Sequence, residues 1–190
     1  MIEMIGVLAV IAILAAMLIP RVFQAVDTAR VTSTMVACET VKTAAIDHYG
    51  RQGRLDMAFG TNIMNGLTKF GGYDTNVLMP EGLLDKPFQV KLGGGDPSTN
   101  SLIELVSALQ ANNGAGYELD GLTVGTTNAQ YVLEAVIFGC SVADAKELND
   151  RIDGGSLGAP DLSTADTRGR VEYGKPNAGT VDVYVYLTHR

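Results

Sequence analysis

The polar and apolar positions divide the chain unevenly. From Met4 to Ile19 there is no charged or strongly polar side chain, and one carboxylate, Glu3, sits just ahead of the run. Counted from Met1, the stretch is about 19 residues, roughly 28 Å as helix and enough to span a hydrocarbon core. Its Ala, Leu and Ile content predicts helix. Pro20 lacks a backbone donor and is expected to loosen or kink that helix over residues 16–19, with Gly6 as a second soft point. Beyond Pro20, Val31, Met35, Cys38, Val41 or Lys42, Ala45 and Tyr49 recur at three- and four-residue steps and predict an inward stripe. Asp27, Arg30, Thr34, Glu39, Thr43 and Asp47 mostly lie off it. The pattern predicts one helix of about 48 residues to Gly50, apolar all round in its first half and amphipathic in its second.

The remaining pattern is shorter in period. Residues 54–85 are rich in glycine and turn residues and predict a loop-rich connection with one short helix. Lys86–Leu92 alternates like a strand. Gly93-Gly94-Gly95-Asp96 lacks the spacing of a phosphate-binding loop and reads as a plain loop. Asp96-Pro97 predicts a helix start, continued by Leu102, Ile103, Leu105, Val106 and Leu109 to Asn113-Gly114. Tyr117–Val124 and Gln130–Phe138 predict strands. Ser141-Val142-Ala143-Asp144 predicts a capped helix over Val142–Ile152, closed at Gly154-Gly155. Arg170–Tyr173 and Thr180–Leu187 predict the last strands, with Val181, Val183, Val185 and Leu187 on one face. Short connections between strands and a long helical stripe predict an α+β fold, the helix packed on a mainly antiparallel sheet.

Composition narrows the function. The chain has 190 residues and a net charge of −7, which argues against a nucleic-acid-coating surface. A cleaved secretory signal ends in a small-residue cleavage site, which Pro20-Arg21-Val22 is not, and the helical pattern runs on past it. The apolar segment is therefore expected to be retained. Two cysteines, Cys38 and Cys140, lie far apart, without the spacing of a zinc site. They are either buried free thiols or a disulfide from helix to sheet. His48 and His189 belong to no triad or metal motif, so neither an enzyme nor a cofactor is expected.

The run Ile2-Glu3-Met4-Ile5-Gly6-Val7-Leu8-Ala9-Val10-Ile11-Ala12-Ile13-Leu14-Ala15-Ala16, followed by Pro20 and an amphipathic helix, resembles the N-terminal motif of type IV pilins and type II secretion pseudopilins. Mature members of that superfamily open Phe-Thr-Leu-Ile-Glu, and Met1 stands at the leucine position. The resemblance covers roughly the first 30 residues. It implies a pilin-like fold, with residues 1–30 as membrane and filament-core segment and residues 31–190 as a head that includes the second half of the helix. It implies prepilin processing and N-methylation. It also implies assembly roles for Glu3, Gly6 and Pro20, Glu3 pairing with the amino terminus of a neighbouring copy.

The function so implied is a structural subunit of an extracellular helical filament, either a type IV pilus or the pseudopilus of a type II secretion system. A membrane-tethered binding protein is the alternative from another class. The implied partners are copies of the same chain, the bacterial inner membrane before assembly, and a pilus or secretion assembly machinery. Some pseudopilins bind calcium, and Asp150, Asp153 and Asp161 flank glycines and offer oxygen ligands. Without the spacing of an EF-hand, solvated loop acids are the competing reading.

Overall fold

The computed structural model describes residues 2–119, 130–158 and 161–190. The first element, α1 (Ile2–Gln52), is one helix of 51 residues. It runs through Pro20 without a break, so the loosening expected there does not end the helix. A proline removes a single backbone bond, and the apolar turns on either side keep their own. The helix stops at Gly53, whose φ of +73° suits a glycine and whose N–H bonds to the Tyr49 carbonyl.

Two layers follow. A small hairpin, β1 (Met57–Ala58) with β2 (Thr61–Asn62), leads to the edge strand β3 (Lys69–Gly71) and then to β4 (Ser101–Ser107). After a 3₁₀ segment, Ala108–Gly114, come β5 (Tyr131–Ser141), α2 (Val142–Ile152), β6 (Val171–Tyr173) and β7 (Thr180–His189). Among the described residues the main sheet has the order β3-β4-β5-β7-β6, with every neighbouring pair antiparallel. The fold is α+β, as the pattern predicts.

One sheet face closes on α1 and α2. Ile103, Leu105, Leu133, Ala135, Ile137, Val183 and Val185 meet Val31, Cys38, Val41 and Ala45 in a single core. Along α1 the fully covered positions are Val31, Thr34, Cys38, Val41, Ala44, Ala45 and His48. Thr34 therefore lies on the inward stripe, not off it, its hydroxyl bonded to the Arg30 carbonyl at 3.0 Å. That bond satisfies the one polar atom that would oppose burial. Met35 and Tyr49 sit at the margin, half-buried.

The last third of the chain follows its pattern closely. Ser141 Oγ accepts from the Asp144 N–H at 3.1 Å and caps α2. Replacing it with alanine is expected to cost about 1 kcal/mol, read as a small drop in the thermal midpoint of the head. In β7, Val181, Val183, Val185 and Leu187 are buried as the alternation requires.

The middle third departs from its pattern. Lys86–Leu92 alternates in burial, with Phe88, Val90 and Leu92 inward, but joins no ladder. Side chains hold it instead: Asp74 Oδ2 accepts the Phe88 N–H at 2.7 Å, and Asn100 Nδ2 donates to the Leu92 carbonyl at 2.8 Å. The helix expected from Asp96-Pro97 amounts to one turn, with Asp96 Oδ1 accepting from the Ser98 N–H. Ser101–Ser107 is then a strand, because its apolar residues are buried on both faces between β3 and β5. The glycine run stays a loop for a steric reason. Gly93 has φ +95°, and a Cβ there would lie 2.6 Å from the Phe138 carbonyl oxygen. Tyr117–Leu119 is not strand, and the rest of the strand expected up to Val124 lies outside the described residues.

Candidate functional site

The largest uncovered apolar surface is the first half of α1. Every described side chain from Gly6 to Arg30 is exposed, among them Leu8, Ile11, Leu14 and Leu18. This helix is long and apolar enough to cross a membrane. A lone protein in water rarely leaves so continuous an apolar rod uncovered.

The outer face of the second half of α1 extends that rod. Opposite the core, at three- and four-residue steps, lie Val22, Ala25, Ala29, Ser33, Val36, Thr40 and Thr43, all exposed. None is charged. On an ordinary surface helix this is where the charges would be. Here the nearby charges stand beside the stripe and pair with each other, Arg30 with Asp27 at 3.8 Å and Lys42 with Glu39 at 3.6 Å. The stripe's threonines are also spent internally. Thr40 Oγ1 donates to the Val36 carbonyl and Thr43 Oγ1 to the Glu39 carbonyl, each at 2.8 Å. A shallow groove of about 380 Å³ runs over Met35, Val36, Glu39, Thr40 and Thr43. Dehydrating the stripe costs less than dehydrating a charged helix face, because its threonine hydroxyls are already bonded within the helix.

The three assembly residues named from the sequence all lie on this rod. Glu3 is in the first turn of α1, and its side chain lies outside the described residues. Gly6 is open: a Cβ there would meet nothing within 4 Å. Pro20 sits inside the helix, near the middle of the exposed stretch.

The other candidate residues have different roles. Cys38 and Cys140 are both buried free thiols, so the helix-to-sheet disulfide is not formed. Burial pushes the Cys140 thiol up to about 12, with Asp144 adding to the effect, so it is an inert core group. Asp150, Asp153 and Asp161, the calcium candidates, each have protein partners of their own. Asp150 takes Lys146 Nζ at 3.2 Å. Asp153 Oδ2 accepts the backbone N–H groups of Arg170 and Val171, each at 2.8 Å. Asp161 Oδ1 accepts from the Ser163 N–H and hydroxyl at 2.7 and 2.6 Å. Each carboxylate is engaged separately, and among the described residues no His, Cys, Asp or Glu group could hold a metal ion.

Two polar features escaped the sequence reading. His48 is fully buried, its Nδ1 2.6 Å from Glu81 Oε2 and its ring edge-on to Tyr73. Glu104, Glu134 and Glu172 are buried on the sheet face turned away from α1. Two of them have a signal in the sequence: each stands alone in the middle of an apolar strand, in SLIELVS and YVLEAVIFGCS.

Comparison with known proteins adds no relative: no family model matches the chain, and no curated protein or solved structure is significantly similar to it.

Proposed function

We propose that this chain is a structural subunit of an extracellular helical filament of the type IV pilus kind, held in the bacterial inner membrane by α1 before it polymerises. The observation that carries the reading is the uncharged outer face of α1, Val22 to Thr43. A tether needs apolar surface only across the bilayer, about 20 residues of helix. This helix stays free of charge on one face for some six turns more, alongside the folded head, where lipid does not reach and water otherwise would. Copies of the same rod, staggered along one another, cover both halves with one kind of contact. Small residues such as Ala9, Ala12, Ala25 and Ala29 allow close approach of the helices.

Glu3 fits the same reading. A lone acid near the end of a membrane helix is tolerated there but gains a partner when a neighbour's amino terminus reaches it. In a dehydrated bundle that pairing rewards one register over others.

Shearing cells and imaging the released material tests the proposal. Filaments containing the chain are expected. Glu3→Ala is expected to leave monomer in the membrane while sheared yield falls at least about tenfold, since breaking a buried pair costs about 3–5 kcal/mol. Normal filament yield from Glu3→Ala, or sheared fractions holding no polymer, count against it.

A further inference from the structure

Along α1, three charges fall on one side of the helix at equal intervals. Glu3, Arg21 and Glu39 are separated by 18 residues and again by 18. At 3.6 residues per turn each interval is about five full turns, so the three positions lie on one line parallel to the axis, about 27 Å apart. Their signs alternate. Between them on that side stand Val7, Val10 and Leu14, then Ala25, Thr28 and Thr32, none charged. The line runs beside the uncharged outer stripe, and Arg21 and Glu39 are both exposed.

The single chain holds these charges loosely. Arg21 is the sole charged residue between Glu3 and Asp27, and among the described residues it takes part in no ion pair or hydrogen bond. Glu39 has Lys42 at 3.6 Å and Arg170 at 4.0 Å, both beyond hydrogen-bond distance, and its side chain is 62% exposed. In a bilayer Arg21 stands at the end of the apolar segment, where its long stem lets the guanidinium reach the headgroups. A polymer of bare helices holds no headgroups. A guanidinium covered by neighbours there needs an acid from another copy.

The sign pattern selects the acid. Two parallel copies in register bring Arg21 against Arg21 and Glu39 against Glu39. A shift of 36 residues brings Glu3 against Glu39. Of these arrangements, the shift of 18 residues alone brings opposite signs together, and it does so twice in one contact. Arg21 of one copy meets Glu39 of its neighbour, while its Glu3 meets the neighbour's Arg21. A helical polymer turns the same side of every copy toward its axis, so one line of charge on each copy supplies both members of a pair. Like charges facing one another count against the other registers.

The apolar surface agrees with the same shift. It brings Leu18 level with Val36 and Val22 level with Thr40, all exposed. A shallow groove of about 230 Å³ over Ala15, Leu18, Ile19, Val22 and Phe23 then faces the groove at Val36, Thr40 and Thr43.

Given the filament reading, we propose that neighbouring copies of α1 are staggered by 18 residues, about 27 Å, and that Arg21 sets this register by pairing with Glu39 of one neighbour and Glu3 of another. A carboxylate has two oxygens, so Glu3 takes a guanidinium and an amino terminus together.

The test cross-links sheared material from a chain carrying Val22→Cys and Thr40→Cys, with all three charges intact. The two positions are exposed and 18 residues apart, about 27 Å along one rigid helix, so a short bis-maleimide cannot join them within a chain. The native thiols are buried. Val22→Cys with Ser33→Cys, 11 residues apart and equally exposed, is the comparison pair. A ladder of linked multimers is expected from the first pair and unlinked chain from the second. Separately, Arg21→Gln is expected to leave monomer in the membrane and lower the sheared yield at least about tenfold, with Arg21→Lys recovering part of it. Filaments that link no better through Val22 and Thr40 than through Val22 and Ser33, or an undiminished yield from Arg21→Gln, overturn the stagger and leave the filament reading standing. Sheared fractions of the parent chain that hold no polymer overturn both.

Discussion

Val36→Lys is expected to leave the head folded and abolish polymerisation. In the single chain Val36 is 61% exposed and lies opposite the core. A lysine there points into water, so the thermal midpoint of the micelle-bound monomer should barely move. In a bundle of α1 helices the same position is covered. An ammonium without a counter-charge then costs several kcal/mol, and the cost recurs at every subunit. At 1.4 kcal/mol per factor of ten, filament yield should fall by about two orders of magnitude or more. Electron microscopy of sheared material and a thermal melt of the monomer read the two halves separately. Undiminished filaments would mean that the uncharged stripe is not a contact surface.

Asp153→Ala is expected to be among the most damaging single changes in the head, with no involvement of metal. Asp153 stands at the end of α2, and its Oδ2 receives two consecutive backbone N–H groups from the start of β6. Its other oxygen lies 3.6 Å from Arg170 Nε. Removing the carboxylate strands two donors and loosens β6, the outermost strand, from α2. A loss of about 2–4 kcal/mol is expected, a fall of roughly 5–15 °C for a chain of this size. Asp153→Asn keeps one acceptor and should recover part of it. Added calcium or a chelator should leave the wild-type midpoint unchanged; a rise on adding calcium would restore the metal reading.

The buried Glu172 carboxyl makes the stability of the head depend on pH. Burial raises Glu172 from 4.5 to about 8, so the folded head prefers its protonated form while the unfolded chain ionises near the ordinary value. The stabilisation is fully present below about pH 4.5 and is lost as pH rises through about 8. Acidic conditions within that window therefore favour the head, which is the opposite of a protein held by surface ion pairs.

The long helix, the α+β layering and the last strands were legible because each rests on one dominant period. Charge-free residues 4–19, the steps from Val31 to Ala45, and the alternation from Val181 to Leu187 each leave one arrangement open. The middle was not legible, for the reason that Ser101–Ser107 illustrates. Its apolar cluster fits one helix face as well as a strand covered on both sides, and only the flanking β3 and β5 decide. Phe88, Val90 and Leu92 show the complementary failure, since the alternation was right but Asp74 and Asn100 supply the bonds a ladder would. The outer stripe of α1 is hard to read from sequence because the charges flanking it dominate the pattern. Its signal is where they are absent, from Ala25 through Ser33 and Val36 to Thr43. Thr34 was misplaced because its hydroxyl, bonded within the helix, lets it behave as an apolar residue.

The most direct test is the accessibility of Val36→Cys to a water-soluble maleimide, in micelle-bound monomer and in sheared material. The native thiols Cys38 and Cys140 are buried and serve as the unreactive background. Rapid labelling in the monomer and strong protection in a polymer is the predicted result. Equal labelling in both states, or a chain that never leaves the monomeric state, would contradict the claim that copies of α1 cover one another.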